Sequence, residues 1–268
     1  MNDGFITALN TQRATANWID ALAQNMANIY TPGYRENQFR FHTFLNGGYV
    51  DEFGRKNDQG KSLPGTSPEN MFLEGKGFFV TKTEDNKTLY TRLGEFKFDD
   101  SGVLKSHKGH KVQGYILNDE GKVMANSPEE QGDITTLPTT EIKLWIDPAN
   151  GKYLGKYDEF AVEGDGIIYG KADKGKVKTP LYKVAVHNFN NPNGLLEVER
   201  GHYVETRESG KPVIGRGEIR SGLLEQSNTS FKDNMAHYQL AKVQMELVNA
   251  LIKTNKDLLQ SAMEMATQ

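Results

Sequence analysis

Cysteine is absent from the 268 residues, which excludes disulfide bonds, thiolate metal sites and cysteine nucleophiles. Glycine is absent after Gly222, and all nine prolines lie between Pro32 and Pro212. Because glycine and proline are the poorest helix formers, both ends of the chain are predicted to be helical. The middle is rich in glycine and in alternating apolar residues, which predicts strands and turns.

An excess of charge of one sign is also lacking, since 32 Lys and Arg residues face 35 Asp and Glu residues. This balance predicts no basic surface for nucleic acid or for an anionic membrane. No apolar run approaches the roughly 18 residues of a membrane span. Residues 1–29 lack the cationic stretch and the continuous apolar core of a cleaved signal peptide, so any export is expected to use another route.

Apolar residues at three- and four-residue steps predict a helix of about 25 residues at the N-terminus. It is expected to end at Thr31-Pro32-Gly33. A second helix is predicted at the C-terminus, with Ser230 as its N-cap and Asp233 in its first turn. The two apolar stripes comprise Phe5, Leu9, Ala16, Ile19, Ala23 and Met26, and then Leu240, Val243, Leu247, Leu251, Leu258 and Ala262.

Both stripes are narrow and close to a heptad spacing, which is typical of a coiled-coil seam. One interpretation is an ordinary antiparallel helix pair within a monomer. The other, which we favour, is that the helices also pack on neighbouring subunits. Apolar residues outside the stripes support it: Ile6, Tyr238, Met245, Val248 and Ile252.

Short alternating segments separated by glycine turns fill residues 70–220 and predict antiparallel strands. The predicted fold class is therefore α+β, with two terminal helices that pair as a coiled-coil layer and a central antiparallel β domain. We expect a discontinuous helical assembly domain at 1–34 and 227–268, and a β domain at 35–226. A loop-rich insertion or β subdomain is expected at 118–160. Residues 73–79 and 162–168 share a Gly-x-Gly pattern that predicts a repeated hairpin-like unit.

Motifs for chemistry are weak throughout. Gly60-Lys61-Ser62 lacks the earlier glycine of a phosphate loop and is followed by Pro64, which blocks the required helix. His107 and His110 have no carboxylate nearby in sequence at ligand spacing and are predicted to lie in a solvated loop. Asp99-Asp100-Ser101-Gly102 is interpreted as an acidic turn. We therefore predict no catalytic residues, no cofactor and no metal site.

The segment from Asn25 to Arg35 is the exception. Asn25 and Asn28 are three residues apart and lie on one helix face, where side-chain amides can set the register between packed helices. Ala27 permits a close approach. The alternative is that these residues only terminate the helix, with Gly33 as its cap.

These residues, together with later ones, resemble the bacterial flagellar rod and hook protein family. The resemblance covers both ends and the centre of the chain. It is carried by Asn25, Ala27, Asn28, Thr31, Gly33 and Tyr34; by Gly75, Gly77, Phe78, Phe79, Tyr90, Thr91, Arg92, Gly94 and Phe96; and by Leu224, Glu225, Ser227 and Asn228.

The resemblance implies a non-enzymatic subunit of an axial tube, with terminal helices in an inner coiled-coil layer and the β domain outside. It implies export through the flagellar export apparatus and assembly in the periplasm, within the basal body, into a rod that transmits torque from motor to hook. Expected partners are copies of the chain and other rod and hook proteins, with the surrounding envelope rings as a further candidate. The short segment from Arg35 to Leu73 resembles a proximal more than a distal rod protein. Alternatives are a hook-like tube protein and a soluble ligand-binding or enzymatic β domain.

Overall fold

The computed structural model describes residues 2–44, 47–123, 138–144, 159–163, 166–172, 176–215 and 217–266. Helix α1 spans Asn2–Ala27 and helix α2 spans Phe231–Ala266. The strands are β1 Asn37–Phe44, β2 Gly47–Arg55, β3 Ser62–Pro64, β4 Met71–Glu74, β5 Phe78–Lys82, β6 Thr88–Thr91, β7 Phe96–Phe98, β8 Leu104–Ser106, β9 Lys111–Ile116, β10 Thr140–Glu141, β11 Glu159–Glu163, β12 Ile167–Ala172, β13 Val177–Val184, β14 Val186–Asn188, β15 Leu196–Glu199, β16 His202–Val204, β17 Val213–Ile214, β18 Glu218–Ser221 and β19 Leu223–Glu225.

The chain forms two compact units. The first contains 1–30, 35–56 and 228–268, and the second contains 31–34 and 57–227. The predicted α+β class with a large antiparallel β domain is confirmed. The pairing of the helices as a coiled-coil layer stays a prediction, and so do the domain boundaries at 34 and 227.

The first unit consists of the two helices and the β1–β2 hairpin. As predicted, α1 is 26 residues long. The start of α2 also follows the prediction, because the Asp233 N–H donates to Ser230 Oγ at 3.3 Å and so receives the N-cap bond. The hairpin was not predicted.

The second unit contains a 13-stranded sheet in its described residues, with a main strand order of β11-β12-β13-β9-β5-β6-β16-β15. Two further antiparallel pairs, β18 with β4 and β19 with β3, complete the described β structure of this unit. Adjacent residues of β5 point to opposite faces, so Phe79 lies in one core cluster with Phe96, and Phe78 lies in a second with Tyr90.

The prediction of a hairpin-like unit at 73–79 is wrong, because β4 and β5 do not pair with each other. Strand β4 pairs with β18, and β5 pairs with β6, β9 and β14. The matching strands β11 and β12 do pair, although the Gly164-Asp165 turn lies outside the described residues. Most of the predicted insertion at 118–160 also lies outside them, at 124–137 and 145–158.

Candidate assembly surfaces and motif sites

The two helices contact each other through a small apolar cluster. Trp18 and Leu22 of α1 are buried with Ala241 of α2. Tyr238 packs against this cluster, and the Trp18 ring lies 6.2 Å from that of His237. Part of the apolar surface of each helix is therefore satisfied inside the first unit.

The predicted stripes lie mainly beside this seam. On α1, Leu9 and Ala23 are exposed, whereas Phe5, Ala16, Ile19 and Met26 are half-buried. On α2, five stripe residues are 52–67% exposed, namely Leu240, Val243, Leu247, Leu251 and Leu258, while Ala262 is half-buried. Two residues outside the stripe, Tyr238 and Val248, are more enclosed than any of those five. The role of the stripes in assembly stays a prediction.

Asn25 connects the two helices to the hairpin. Its Nδ2 donates to the carbonyl of Asn37 at 2.9 Å and to Oδ1 of Asn234 on α2 at 3.1 Å. Its Oδ1 accepts the N–H of Asn37 at 3.0 Å. Asn25 and Asn234 are each 1% exposed, so these bonds are formed away from water. The amide therefore sets the relative position of α1, α2 and β1, as the register interpretation predicted.

Asn28 acts differently, although it shares the helix face of Asn25. Its Nδ2 donates to the carbonyl of Gln24 at 2.7 Å, which satisfies one of the free carbonyls at the end of α1. Ala27 is exposed. The helix-terminating interpretation therefore describes Asn28, and the register interpretation describes Asn25. The prediction that Gly33 caps α1 is wrong, because the helix ends at Ala27 and the Gly33 N–H donates to the carbonyl of Glu225.

Asn228 holds the open end of the hairpin. Its Oδ1 accepts the N–H of Glu36 and its Nδ2 donates to the carbonyl of Lys56, both at 2.8 Å. The N–H of Lys56 also donates to the carbonyl of Glu36 at 2.8 Å. One side chain just before α2 thus joins the residues that precede β1 and follow β2.

In the second unit, a buried ion pair ties together motif residues from distant parts of the sequence. Arg92 Nη1 lies 3.5 Å from Glu225 Oε2 and donates to the carbonyl of Leu73 at 2.9 Å. The backbone carbonyl of Glu225 accepts the Gly33 N–H at 2.7 Å. Gly33 has φ +66°, and a Cβ there would lie 2.9 Å from the Arg92 backbone, so this position requires glycine.

The Glu225 carboxylate also contacts the Gly60-Lys61-Ser62 motif. Its Oε1 accepts the Gly60 N–H at 2.9 Å, so a backbone donor that a phosphate would need is already bonded to an anionic group. The loop interpretation holds for Gly60 and Lys61 and is wrong for Ser62, which begins β3 and pairs with Glu225 of β19.

The remaining motif residues build the strand junctions and cores. A Cβ at Gly94 would lie 1.6 Å from the carbonyl oxygen of Met71, so only glycine fits between these backbones. Thr91 Oγ1 donates to the carbonyl of Gly201 at 2.6 Å. Phe79 and Phe96 meet edge to face at 5.1 Å. Gly75 and Gly77 lie between β4 and β5 and have positive φ. Four further motif residues are buried, namely Phe78, Tyr90, Tyr34 and Ser227. Leu224 pairs with Leu63, and the carbonyl of Thr31 accepts the N–H of Tyr34.

The acidic turn at Asp99 is confirmed as a turn. Asp99 Oδ1 accepts the N–H groups of Ser101 and Val103, and Oδ2 lies 2.8 Å from Lys105 Nζ. Burial alone would raise the pKa of Asp99, but hydrogen bonds from Lys105, Ser101 and Val103 hold it at about 2.

The solvated-loop prediction is correct for His107, which is exposed, and wrong for His110, which is buried. His110 Nε2 lies 3.0 Å from Glu199 Oε2, and this hydrogen bond lowers the pKa of Glu199. The carboxylate is 89 residues away in sequence, so inspection of local spacing could not find it.

Neither helix of the described chain is both long and apolar enough to cross a membrane.

Comparisons with known proteins agree with the motif residues. A family model, "Flagellar hook protein FlgE/F/G D1 domain", matches residues 72–170, which lie in the second unit. The chain is 24% identical to the flagellar basal-body rod protein FlgG of Borreliella burgdorferi, over 94% of both chains. It is also 24% identical to the FlgG of Buchnera aphidicola subsp. Baizongia pistaciae, over 95% of both chains. It is 20% identical to the flagellar hook protein FlgE of Rhizobium meliloti, over 85% of this chain and 90% of the hook protein. The chain is therefore similar to flagellar basal-body rod and hook proteins along most of its length, and the family model and these relatives support a place for it among them.

Proposed function

We propose that the chain is a structural subunit of the flagellar basal-body rod that assembles with copies of itself and with other axial proteins. The observation that carries this proposal is the apolar face of α2, formed by Leu240, Val243, Leu247, Leu251 and Leu258, which is 52–67% exposed in a folded chain. Apolar residues repeated along one helix face are typical of an interaction surface. We call these five residues the α2 face.

A rod position is favoured over a hook position by the way the relatives align. The alignment with the Borreliella rod protein spans 285 positions for 94% of this chain. The alignment with the Rhizobium hook protein spans 367 positions for only 85%, so it needs far longer gaps. Within the rod, the short segment between Arg35 and Leu73 favours a proximal place.

The α2 face fits a helical assembly. Its residues follow one another at steps of 3, 4, 4 and 7 positions, which keeps them on one side of the helix. Each is roughly half exposed, so burial against a neighbour would contribute about 1 kcal/mol per side chain. Such contacts are weak singly, but repetition around a lattice makes the assembly stiff enough to transmit torque. We propose that coiled-coil packing of both terminal helices forms this inner layer.

The proposal extends to location and transit. A rod subunit would lie in the basal body and span the periplasm, after passage through the flagellar export apparatus without cleavage of a signal peptide. The envelope rings that surround a rod would be neighbours of its outer surface. Such a role is structural and requires no catalytic group.

The experiment replaces Leu247 and Leu251 together by glutamate in the bacterium that encodes the chain. We expect normal amounts of exported, folded protein but no completed rods, because two charges would be desolvated at each subunit contact. Isolated basal bodies viewed by electron microscopy and swimming motility provide the measurements.

The matched control is Lys253→Glu, which changes charge at an exposed polar position of the same helix. Motility should survive this change. Complete rods in the Leu247→Glu, Leu251→Glu strain would show that the α2 face does not pack in the assembly.

A further inference from the structure

Three side chains capable of binding a metal converge in the second unit. His110 lies in the turn between β8 and β9, Glu199 ends β15, and His202 begins β16. One ligand atom of each lies within 4.8 Å of the ligand atoms of the other two. We call these residues the His-Glu-His cluster. The cluster joins two turns that are far apart in sequence.

Two of the ligand atoms are spaced nearly as in a tetrahedral zinc site. Zinc bonds of about 2.1 Å place neighbouring ligand atoms about 3.4 Å apart. His110 Nε2 and Glu199 Oε2 are 3.0 Å apart, and the rings of His110 and His202 have centroids 4.9 Å apart. His110 and Glu199 are therefore already spaced to share one ion, and His202 lies within the same 4.8 Å group.

His202 is the second observation that points to a ligand. The residue is 0% exposed, and its Nδ1 lies 3.2 Å from the carbonyl of Arg200. Because a carbonyl can only accept, Nδ1 must carry the proton and Nε2 must present a lone pair. Nε2 is buried and has no hydrogen-bond partner among the described residues. Metal-binding histidines commonly donate their other N–H to a backbone carbonyl in this way.

We propose that His110, Glu199 and His202 bind one divalent transition-metal ion, for which Zn²⁺ is the best fit. Two imidazoles and one carboxylate are ligands that zinc prefers, and water would fill the fourth position. The ion would crosslink the β8–β9 turn to the β15–β16 turn and stabilise the β unit. It would also satisfy the buried Nε2 of His202.

The test uses the full chain after treatment with a chelator. Titration with zinc chloride at about pH 7.5, where free imidazole is neutral, should show one tight site per chain by calorimetry. Cobalt(II) should give the visible absorption bands of a tetrahedral site. Zinc should raise the melting temperature by about 5 °C at a hundredfold excess over Kd.

Glu199→Gln and His202→Gln should each weaken zinc binding by about a hundredfold or more, since even the supporting partners of ligands are worth 10 to 100-fold. Glu199 is an exposed residue, so its variant should fold even if the buried His202 variant does not. Circular dichroism checks this. The matched control is His237→Gln, an exposed histidine of α2, which should bind zinc as the original chain does. Absence of a stoichiometric zinc site, or unchanged affinity in Glu199→Gln, would overturn the proposal.

Discussion

The Asn25 side chain makes hydrogen bonds that connect α1 to β1 and to α2. Asn25→Ala would leave the N–H of Asn37 without its acceptor, and it would remove one contact to Asn234. Such losses in a buried place cost about 2 to 3 kcal/mol. We expect a lower urea midpoint, followed by the fluorescence of Trp18 in the first unit after Trp145, the second tryptophan of the chain, is replaced by phenylalanine in both variants and in the reference chain. Asn17→Ala, at an exposed position of the same helix, is the control and should leave the midpoint unchanged. Equal midpoints for the two variants would contradict the role of Asn25 in joining α1 to α2 and β1.

His187 makes stability depend on pH. Its Nε2 bonds to the hydroxyl of Tyr115 at 2.9 Å, and burial lowers the pKa of His187 to about 4. The unfolded chain, with a pKa near 6.5, binds a proton that the folded chain excludes. The stabilising contribution of neutral His187 is therefore fully present above about pH 6.5. As the pH drops toward 4, the free energy of unfolding falls by up to about 1.4 kcal/mol per pH unit.

The measurement is a set of urea-unfolding curves at several pH values with a chelator present, which keeps the His-Glu-His cluster free of metal. The original chain should lose stability steeply in this range. His187→Gln should be less stable at neutral pH but should lose less stability on acidification, because the residue no longer titrates. Parallel pH profiles would remove His187 as a source of the acid sensitivity.

At the scale of elements, the sequence predicts the helices well because their signals are local. The length of α1 follows from the apolar steps, although the helix ends at Ala27, before the predicted Thr31-Pro32-Gly33 stop, and the start of α2 follows from Ser230. The β1–β2 hairpin was missed, although Phe39 and Phe41 alternate with polar residues. The alternation ends at Thr43 and Phe44, where the apolar residue changes phase, and Tyr49-Val50-Asp51-Glu52 has no period of two.

At the candidate sites, too, only the local signals could be predicted from the sequence. Asn25 and Gly33 could be identified from the sequence because each belongs to a short motif. Their partners could not, since Asn234 and Glu225 lie some 200 residues away and are brought close only by tertiary pairing. The stripe on α2 illustrates a subtler limit. Periodicity identifies an apolar face, but it does not reveal which of two adjacent faces packs inside the chain and which stays exposed.

At the scale of the whole molecule, the two helices differ in how much support they receive. Helix α2 has 36 residues, whereas α1 has 26. Val248 is the last buried residue of the described part of α2, and residues 249–265 are exposed or half-buried. A helical segment that buries little apolar surface opens with a free energy near zero, because tertiary packing supplies most helix stability.

We therefore expect fast amide hydrogen exchange over 249–265 in the unassembled chain and slow exchange in the second unit. In isolated rods the same segment should become protected, because neighbours would bury its apolar residues. Exchange measured by mass spectrometry on both forms makes the comparison. The residues 88–91 of β6, in the middle of the main sheet, serve as the internal control and should be slow in both. Slow exchange over 249–265 in the free chain would mean that contacts within one molecule stabilise this part of α2. The α2 face would then not be the assembly surface.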